Sequence, residues 1–449
     1  MRLNGRRKFV QRNFVRPVMH FMRTETAGGI VIVAAAIIAL VWANSPWQDT
    51  YFDIWRSTVE LNLGIVTIDD TLGHLVNDGL MVVFFFVVGL EIKRELVHGE
   101  LATARRAALP VMAAAGGMVV PAAIYILFNG MIGEAGRGWG VPVATDIAFA
   151  LGVLALVGKR VPFGLKIFLL TVAIADDLGG ILVIAIFYSE SISLMPLGWA
   201  ALVVLGILFV RGYDVRTYNI YLLLGAVLWL FIYESGIHAT IAGVILALLT
   251  PATSLYSRHS FEGHAERLIT RFRQAEERGN TEDAESALRL MEALSRETGS
   301  PLDRLMHMLL PWVSYAIVPL FALANAGVVI SGGSVGDAAG SPVTFGIILG
   351  LVLGKPLGIF LFALLAVRLG FASLPVGVTW GHVIGVGLLG GVGFTVALFI
   401  TELAFTDEHY MSEAKIGILA ASILAGAIGY IYLRFIAPAG DEADAHNGR

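Results

Sequence analysis

Cysteine is absent from the 449 residues. That excludes a disulfide scaffold, Cys-ligated zinc and iron–sulfur chemistry. Charge is scarce as well. Asp, Glu, Lys and Arg make up 15% of the chain, against about 25% in an ordinary soluble domain. There is no basic surplus either: 31 Lys and Arg stand against 35 Asp and Glu, for a net charge of -4. Nothing is left over to neutralise phosphates, so nucleic acid is not a partner. What fills the chain instead is apolar. Hydrophobic residues reach 57%, with a mean hydropathy of +0.76. A soluble enzyme and a disordered chain are both excluded by that balance.

The apolar residues come in long runs. A bilayer core about 30 Å thick needs about 20 such residues per helix. The pattern predicts an all-α membrane protein with twelve transmembrane helices, at 26–45, 73–97, 104–129, 142–158, 163–188, 196–211, 216–232, 237–250, 308–331, 344–370, 380–402 and 412–436. The basic N-terminus looks like the start of a signal peptide. However, the apolar run Ala27–Ala43 outlasts a signal core of about 7–15 residues. It reads as a retained first helix. Orientation follows from Lys and Arg, which collect on the cytoplasmic side. With the N-terminus inside, only Arg56, Arg137 and Lys415 fall in outer loops, while Lys166 and Lys355 lie within spans. Both termini of this multi-pass protein are therefore expected in the cytoplasm. Residues 1–436 form one domain and the polar stretch 437–449 a disordered tail.

Two loops stand out. The outer loop 46–72 mixes β-branched residues with Gly64 between Thr58 and Ile68, which predicts a short hairpin. Edge strands of two copies can pair, so this loop is expected at a homodimer contact. The inner loop 255–304 has helical spacing on both sides of Gly279-Asn280, with Thr281 as a cap. It reads as a solvated helical hairpin.

A charge in the bilayer core costs about 2.5–3.5 kcal/mol on insertion scales, so charges within spans are functional candidates. Here they are Asp78, Asp146, Asp176, Asp177 and Lys355, with Glu91 and Glu95 near the inner end of the second span. Adjacent Asp176 and Asp177 cannot both ionise cheaply. A carboxylate so placed can exchange a proton for a small hard cation. Asp146, in Pro142-Val143-Ala144-Thr145-Asp146, marks a helix that starts late or is broken. Thr145 or Asp146 either caps the half-helix or serves the cation. Span eleven carries Gly385, Gly387, Gly390, Gly391 and Gly393 before Phe394-Thr395, the mark of a second break or of close packing. Spans three to five and ten to twelve form two three-helix blocks of opposite topology, each with an interrupted middle helix. Paired interrupted spans place a carrier's site where they cross near the midplane. Lys355, in Gly354-Lys355-Pro356, needs a carboxylate or helix C-terminal carbonyls nearby.

Six motifs in order are specific: Asn77-Asp78-Gly79-Leu80-Met81, Val88-Gly89-Leu90-Glu91-Ile92-Lys93-Arg94-Glu95-Leu96, Ala144-Thr145-Asp146-Ile147-Ala148-Phe149-Ala150, Asp176-Asp177-Leu178-Gly179, Ala324-Asn325-Ala326-Gly327 and Gly354-Lys355-Pro356-Leu357-Gly358. With them the chain resembles the NhaA-type bacterial sodium/proton antiporters from about Thr24 to Leu433. This family is itself among the examples behind the inverted-repeat rule, so repeat and resemblance are one observation. The resemblance implies an electrogenic, pH-dependent exchange of cytoplasmic Na+ and Li+ for external H+ by alternating access, serving sodium and pH homeostasis. It implies no enzyme activity and no cofactor. Asp177 is then the main transient Na+ ligand, with Asp176 beside it. Asp146 and Thr145 stand at the crossing, and Lys355 is the positive counterpart there, expected to neutralise Asp176 across it. Asp78, Glu91 and Glu95 belong to the cytoplasmic entrance or its regulation, and His238 and His307 to a pH response. On spacing alone, Glu91 and Glu95 also fit a solvated helix face, and His238 a hydrogen-bonded core histidine. The chain departs from the family at Met306, where a carboxylate is common, at Leu310, where a histidine can occur, and in the length of the 255–304 loop. An intramembrane aspartyl protease is the alternative from another class. It needs two carboxylates facing each other from different helices, which adjacent Asp176 and Asp177 fit poorly. A passive channel would need a symmetric filter loop.

Overall fold

The computed structural model describes residues 25–62, 67–189, 192–213, 215, 217–253, 258–297 and 300–437. The expected tail lies outside them apart from Ala437, as do the basic residues ahead of Thr24 and residues 63–66. Among the described residues, seven helices are long and apolar enough to cross a membrane, or ten when each bent helix pair counts as one span. The chain is therefore an all-helical multi-pass membrane protein. Two shorter apolar helices, Tyr218–Glu234 and Thr240–Leu249, fall at the expected seventh and eighth spans.

The two breaks read from the sequence are present. A 3-10 segment Gly138–Val143 gives way to extended backbone and then to the helix Ile147–Val157, with a 41° bend between the arms. Pro142 and the side chain of Asp146, which caps the second arm, account for the change. Helices Trp380–Gly390 and Phe394–Ala404 meet at 47° across residues 391–393. The glycines there also serve close packing. A Cβ on Gly391 would lie 2.3 Å from the Leu351 carbonyl oxygen, so both readings of the glycine density hold. The first bent pair, Ala27–Ala43 with Gln48–Arg56, turns through 114°. Its second arm carries Gln48, Asp49, Asp53 and Arg56, which suits a helix lying along the surface rather than continuing across.

The outer loop forms the hairpin expected of it. Strand β1 (Thr58–Asn62) pairs antiparallel with β2 (Thr67–Thr71), with Thr58 opposite Thr71 and Asn62 opposite Thr67. Strand β2 reaches three residues beyond the predicted Ile68, and Thr71 then caps the next helix by accepting from the His74 backbone N–H at 3.2 Å. In the inner loop, Arg258–Glu277 and Thr281–Glu297 are helices packed against each other, and Gly279 takes the positive φ the turn requires. Ala275, Ala284, Ala287 and Leu294 are buried in their seam, whereas Leu288, placed on the same face by spacing, is half exposed.

Span nine differs from its prediction. It runs from Pro301 to Asn325 rather than 308–331. Ser300 accepts from the Asp303 backbone N–H at 3.0 Å, and Pro301 occupies the first helical turn. Cap chemistry thus starts the helix within the charged stretch. Short π-helical segments, which hydropathy did not reveal, interrupt several spans. Those at Val313–Ile317 and Gly350–Gly354 each precede a proline, Pro319 and Pro356. Proline has no N–H and crowds the carbonyl four residues back, so the helix widens there. A third, Leu75–Leu80, contains Asp78.

Candidate functional site

The two broken helices lock together through backbone and side chains at their breaks. The Asp146 backbone N–H donates to the Val392 carbonyl at 2.7 Å, and Thr145 Oγ1 donates to the Gly390 carbonyl at 2.9 Å. One carboxylate then serves two helix starts. Asp146 Oδ1 accepts from the Phe149 N–H at 3.0 Å, in its own helix. Asp146 Oδ2 accepts from the Thr395 N–H at 3.1 Å and from Thr395 Oγ1 at 2.6 Å, in the other. The Phe394 N–H is taken by Ser422 Oγ at 3.3 Å. The positive ends of both half-helices therefore converge on one buried anion. Capping, one of the two readings of Asp146, is real geometry, and it engages both carboxylate oxygens. Thr395 was not singled out by sequence reasoning. Its only signal was its place just past the glycine run.

Asp176 and Asp177 sit in the unbroken helix Phe163–Phe187 and are both buried. Asp176 forms an ion pair with Lys355, whose side chains are 2% and 1% exposed. Lys355 thus meets Asp176, the carboxylate it was expected to neutralise across the crossing. It follows directly on the π segment Gly350–Gly354, and its helix packs hard on Ala104–Asn129. There a Cβ on Gly358 would stand 2.0 Å from the Gly116 carbonyl oxygen, so only glycine permits the approach that carries Lys355 inward. Among the described residues, Asp177 forms no ion pair, neither Asp177 Oδ1 nor Asp176 Oδ1 meets a hydrogen-bond donor, and no three His, Asp or Glu side chains gather as a resident metal would require. The arrangement holds one carboxylate neutralised by Lys355, with a second beside it whose Oδ1 faces no such donor.

Asp78, Glu91 and Glu95, grouped as one entrance, divide between the two ends of the second span, which corrects that grouping. Asp78 and His238 line a cavity of about 800 Å³ together with Arg56, Arg137 and Lys415, the three basic residues of the outer loops. With the orientation expected from the Lys and Arg distribution, span two runs from the outer loop inward and Asp78, near its start, falls at the outer mouth. Glu91 and Glu95 lie more than three turns further along. Asp78 pairs with His74 at 2.9 Å, and His238 stacks on Phe399 with ring centroids 5.6 Å apart. Phe399 also meets Phe85 and Phe321 at 5.3 and 6.2 Å. It lies one turn from Thr395 on one side and from Leu403, in the cavity wall, on the other. A ring of aromatic side chains thus stands between this mouth and the crossing. At the other end, Glu95 Oε2 accepts from the Glu100 N–H at 3.0 Å, which gives it a local structural task. Arg94 approaches Asp303 at 3.9 Å. His307 is one turn beyond Asp303, and Met306 is buried.

Lys93 was counted only as an inner-side cation. Its ammonium is buried and donates to the carbonyls of Leu248, at 2.7 Å, and Thr250. It satisfies the C-terminal end of the helix Thr240–Leu249. Asn77 and Asn325, quoted in the motifs without a role, bond to each other across the mouth at 2.7 Å.

Charged groups buried at the meeting point of two broken helices, in a multi-pass membrane protein, define an ion-transport protein rather than an enzyme. The comparisons specify which kind. The family model for Na+/H+ antiporter 1 matches residues 19–433, and the chain belongs to that family. A Na+/H+ antiporter NhaA of Acidithiobacillus ferrooxidans is 48% identical over 424 residues, covering 93% of this chain and 97% of the relative. One of Oleidesulfovibrio alaskensis is 47% identical over 427 residues, 94% of each. NhaA 2 of Syntrophotalea carbinolica is 45% identical over 421 residues, covering 93% and 96%.

Proposed function

We propose that the chain is an electrogenic secondary transporter that exports cytoplasmic Na+, and Li+, in exchange for external H+. The observation that carries this reading is the buried Asp177, whose Oδ1 meets no donor among the described residues, beside an Asp176 already neutralised by Lys355. Such a carboxylate holds either a proton or a small cation, which couples the two. Asp146, occupied on both oxygens by helix N-termini, holds the crossing together and Thr145 pins it. Alternating access then moves the crossing relative to the Phe163–Phe187 helix, opening Asp177 to one side at a time. The protease reading has no support: Asp176 faces an ammonium rather than a second carboxylate.

The seven long helices, the three bent pairs and the two short apolar helices make up the twelve spans of this proposal. The two blocks with broken middle helices form the inverted repeat. Both termini and the 255–304 helical hairpin face the cytoplasm, across a bacterial inner membrane. Everted vesicles with a pH-sensitive dye test the exchange. Addition of Na+ or Li+ to respiring vesicles dequenches the dye and K+ does not; no response to Na+ overturns the proposal.

Competition at one site also sets the pH dependence. When a proton must leave before Na+ binds, apparent Na+ affinity weakens about tenfold per pH unit lost in the acid range, for each proton displaced. The maximal rate at saturating Na+ changes far less. A maximal rate that collapses on acidification at constant affinity places control in a separate switch, with Glu91, Glu95 and His307 the first residues to test.

The hairpin leaves both strand edges open, and the proposal pairs it with that of a second copy as a homodimer. Deletion of Thr58–Ile68 is expected to yield an active monomer on native gels. A dimer that survives the deletion puts the contact elsewhere.

A further inference from the structure

The outer mouth carries a chain of side chains that no step of the exchange uses. Tyr233, at the end of the helix Tyr218–Glu234, donates its hydroxyl to Asp70 Oδ2 at 3.2 Å. Asp70 lies in strand β2, and its Oδ1 faces His74 Nδ1 at 3.5 Å. The other ring nitrogen, Nε2, lies 2.9 Å from Asp78 Oδ2. The side chains of Asp70 and Asp78 are 20% and 11% exposed, while that of His74 is 54% exposed and open to outside water. Tyr233, His74 and Asp78 all line the mouth of the cavity. The series therefore straps the start of the second span to the hairpin and to the end of helix Tyr218–Glu234.

The strap depends on a proton. Both ring nitrogens of His74 face carboxylate oxygens. An imidazolium donates from both; a neutral ring has one N–H and serves only one of them. The other charges around the mouth do not substitute for it. Arg56, from the surface helix, is held by Glu408 at 2.8 Å. Lys415 is held by Glu402 at 2.7 Å. Arg137 reaches the cavity from the end of the short helix Glu134–Arg137, ahead of the 3-10 segment Gly138–Val143, and Tyr51 gives its hydroxyl to the carbonyls of Leu323 and Ala324. Among the described residues, His74 is the basic side chain in ion-pair contact with Asp70 and Asp78.

We propose that His74 is a sensor of external pH that straps the outer mouth when protonated and loosens it when neutral. An acidic outside then holds the mouth as seen here. An alkaline outside breaks one link, either to the hairpin or to Asp78, and widens the path for the leaving cation. The link is independent of proton competition at Asp177, because it faces the other end of the aromatic ring around Phe399.

The test uses the full-length protein in liposomes, with internal pH clamped and external pH set to about 6 or about 10, the alkaline value placed well above the ordinary histidine range because two facing carboxylates favour the imidazolium. His74→Gln keeps one donor and cannot carry the charge. At the acid value the variant is expected to exchange Na+ about fivefold faster than wild type, a modest allosteric coupling. At the alkaline value the two should match. Asp70→Asn, which removes the middle link and leaves Asp78 untouched, should behave in the same way and covers the case in which His74→Gln does not fold. Equal rates for wild type and variants at both pH values overturn the proposal, as do variants slower than wild type at the acid value. The inference rests on the exchange reading for this assay alone. A second readout needs no transport. The chain has no cysteine, so Ala324→Cys, in the cavity wall, gives one thiol for an impermeant maleimide. At acid pH its labelling should be about fivefold faster in the His74→Gln background than with His74 present. Labelling equal in the two backgrounds overturns the strap even if exchange is intact, and labelling that differs while Na+ exchange is absent overturns the exchange reading instead.

Discussion

Asp177→Asn is expected to abolish Na+/H+ exchange at every pH from about 6 to 9, a range that an ordinary carboxylate does not by itself divide. The amide keeps the size and the burial of the side chain but holds neither a net charge nor an exchangeable proton. It also offers one acceptor oxygen where the carboxylate has two. Because Asp177 Oδ1 meets no donor among the described residues, the substitution disturbs no hydrogen bond at that oxygen, and stability should stay near that of wild type. That separates it from Asp176→Asn, which leaves the Lys355 ammonium without its counter-charge. Loss of exchange together with an unchanged melting point is the signature of a transport ligand. Sodium-dependent dequenching in Asp177→Asn vesicles at any pH in the range would move the binding role to another residue.

Much of this arrangement was legible in the sequence because the bilayer leaves few options. Backbone groups in hydrocarbon must bond within helices, so long apolar runs translate almost directly into spans. The breaks were legible for the same reason. Pro142 with Asp146, and five glycines ahead of Thr395, have no place in a continuous apolar helix unless the helix is interrupted there. What the runs could not show is register. The start of span nine was misplaced because Asp303 and Arg304 look like loop, yet Ser300-Pro301 is a helix start that cap chemistry reveals. The π segments have no hydropathy signature, and only the prolines that follow two of them hint at their presence. Asp78 was grouped with Glu91 by motif, although the alternation of spans already put its end of the helix outside. Partners across the fold were hidden for a different reason. Thr395 and Asp146 are separated by 249 positions, and Lys355 and Asp176 by 179. No local pattern links them, so Thr395 as the partner of Asp146 required the fold, while Lys355 with Asp176 followed from the need of a buried ammonium for a carboxylate.

Those long-range pairs also show how the site is held. The crossing is joined by hydrogen bonds from Thr145, Asp146 and Thr395, all within the two broken helices. The ion pair joins different elements, the unbroken helix of Asp176 and the helix that begins at Lys355. Rearrangement of the crossing can therefore leave the capping intact while altering what surrounds the two carboxylates.

Lys355→Ala is the substitution expected to cost most in stability. The ammonium is fully buried and its carboxylate partner nearly so. Removing one member of such a pair leaves the other charge unpaired in a low-dielectric interior, a loss of about 3–5 kcal/mol. Asp176 can escape part of this by taking up a proton, and that escape has a consequence for transport. The variant would begin its cycle with a proton on Asp176 that wild type does not carry, so the pH profile of exchange should shift along with the melting point. Lys355→Arg tests the charge apart from the shape. It retains a cation but must fit a larger planar group beside the close Gly116–Gly358 contact, so it should recover part of the pH profile and less of the stability. If Lys355→Ala melts and titrates as wild type does, the ion pair carries neither stability nor proton coupling, and the neutralisation of Asp176 would have to come from a bound proton throughout the cycle.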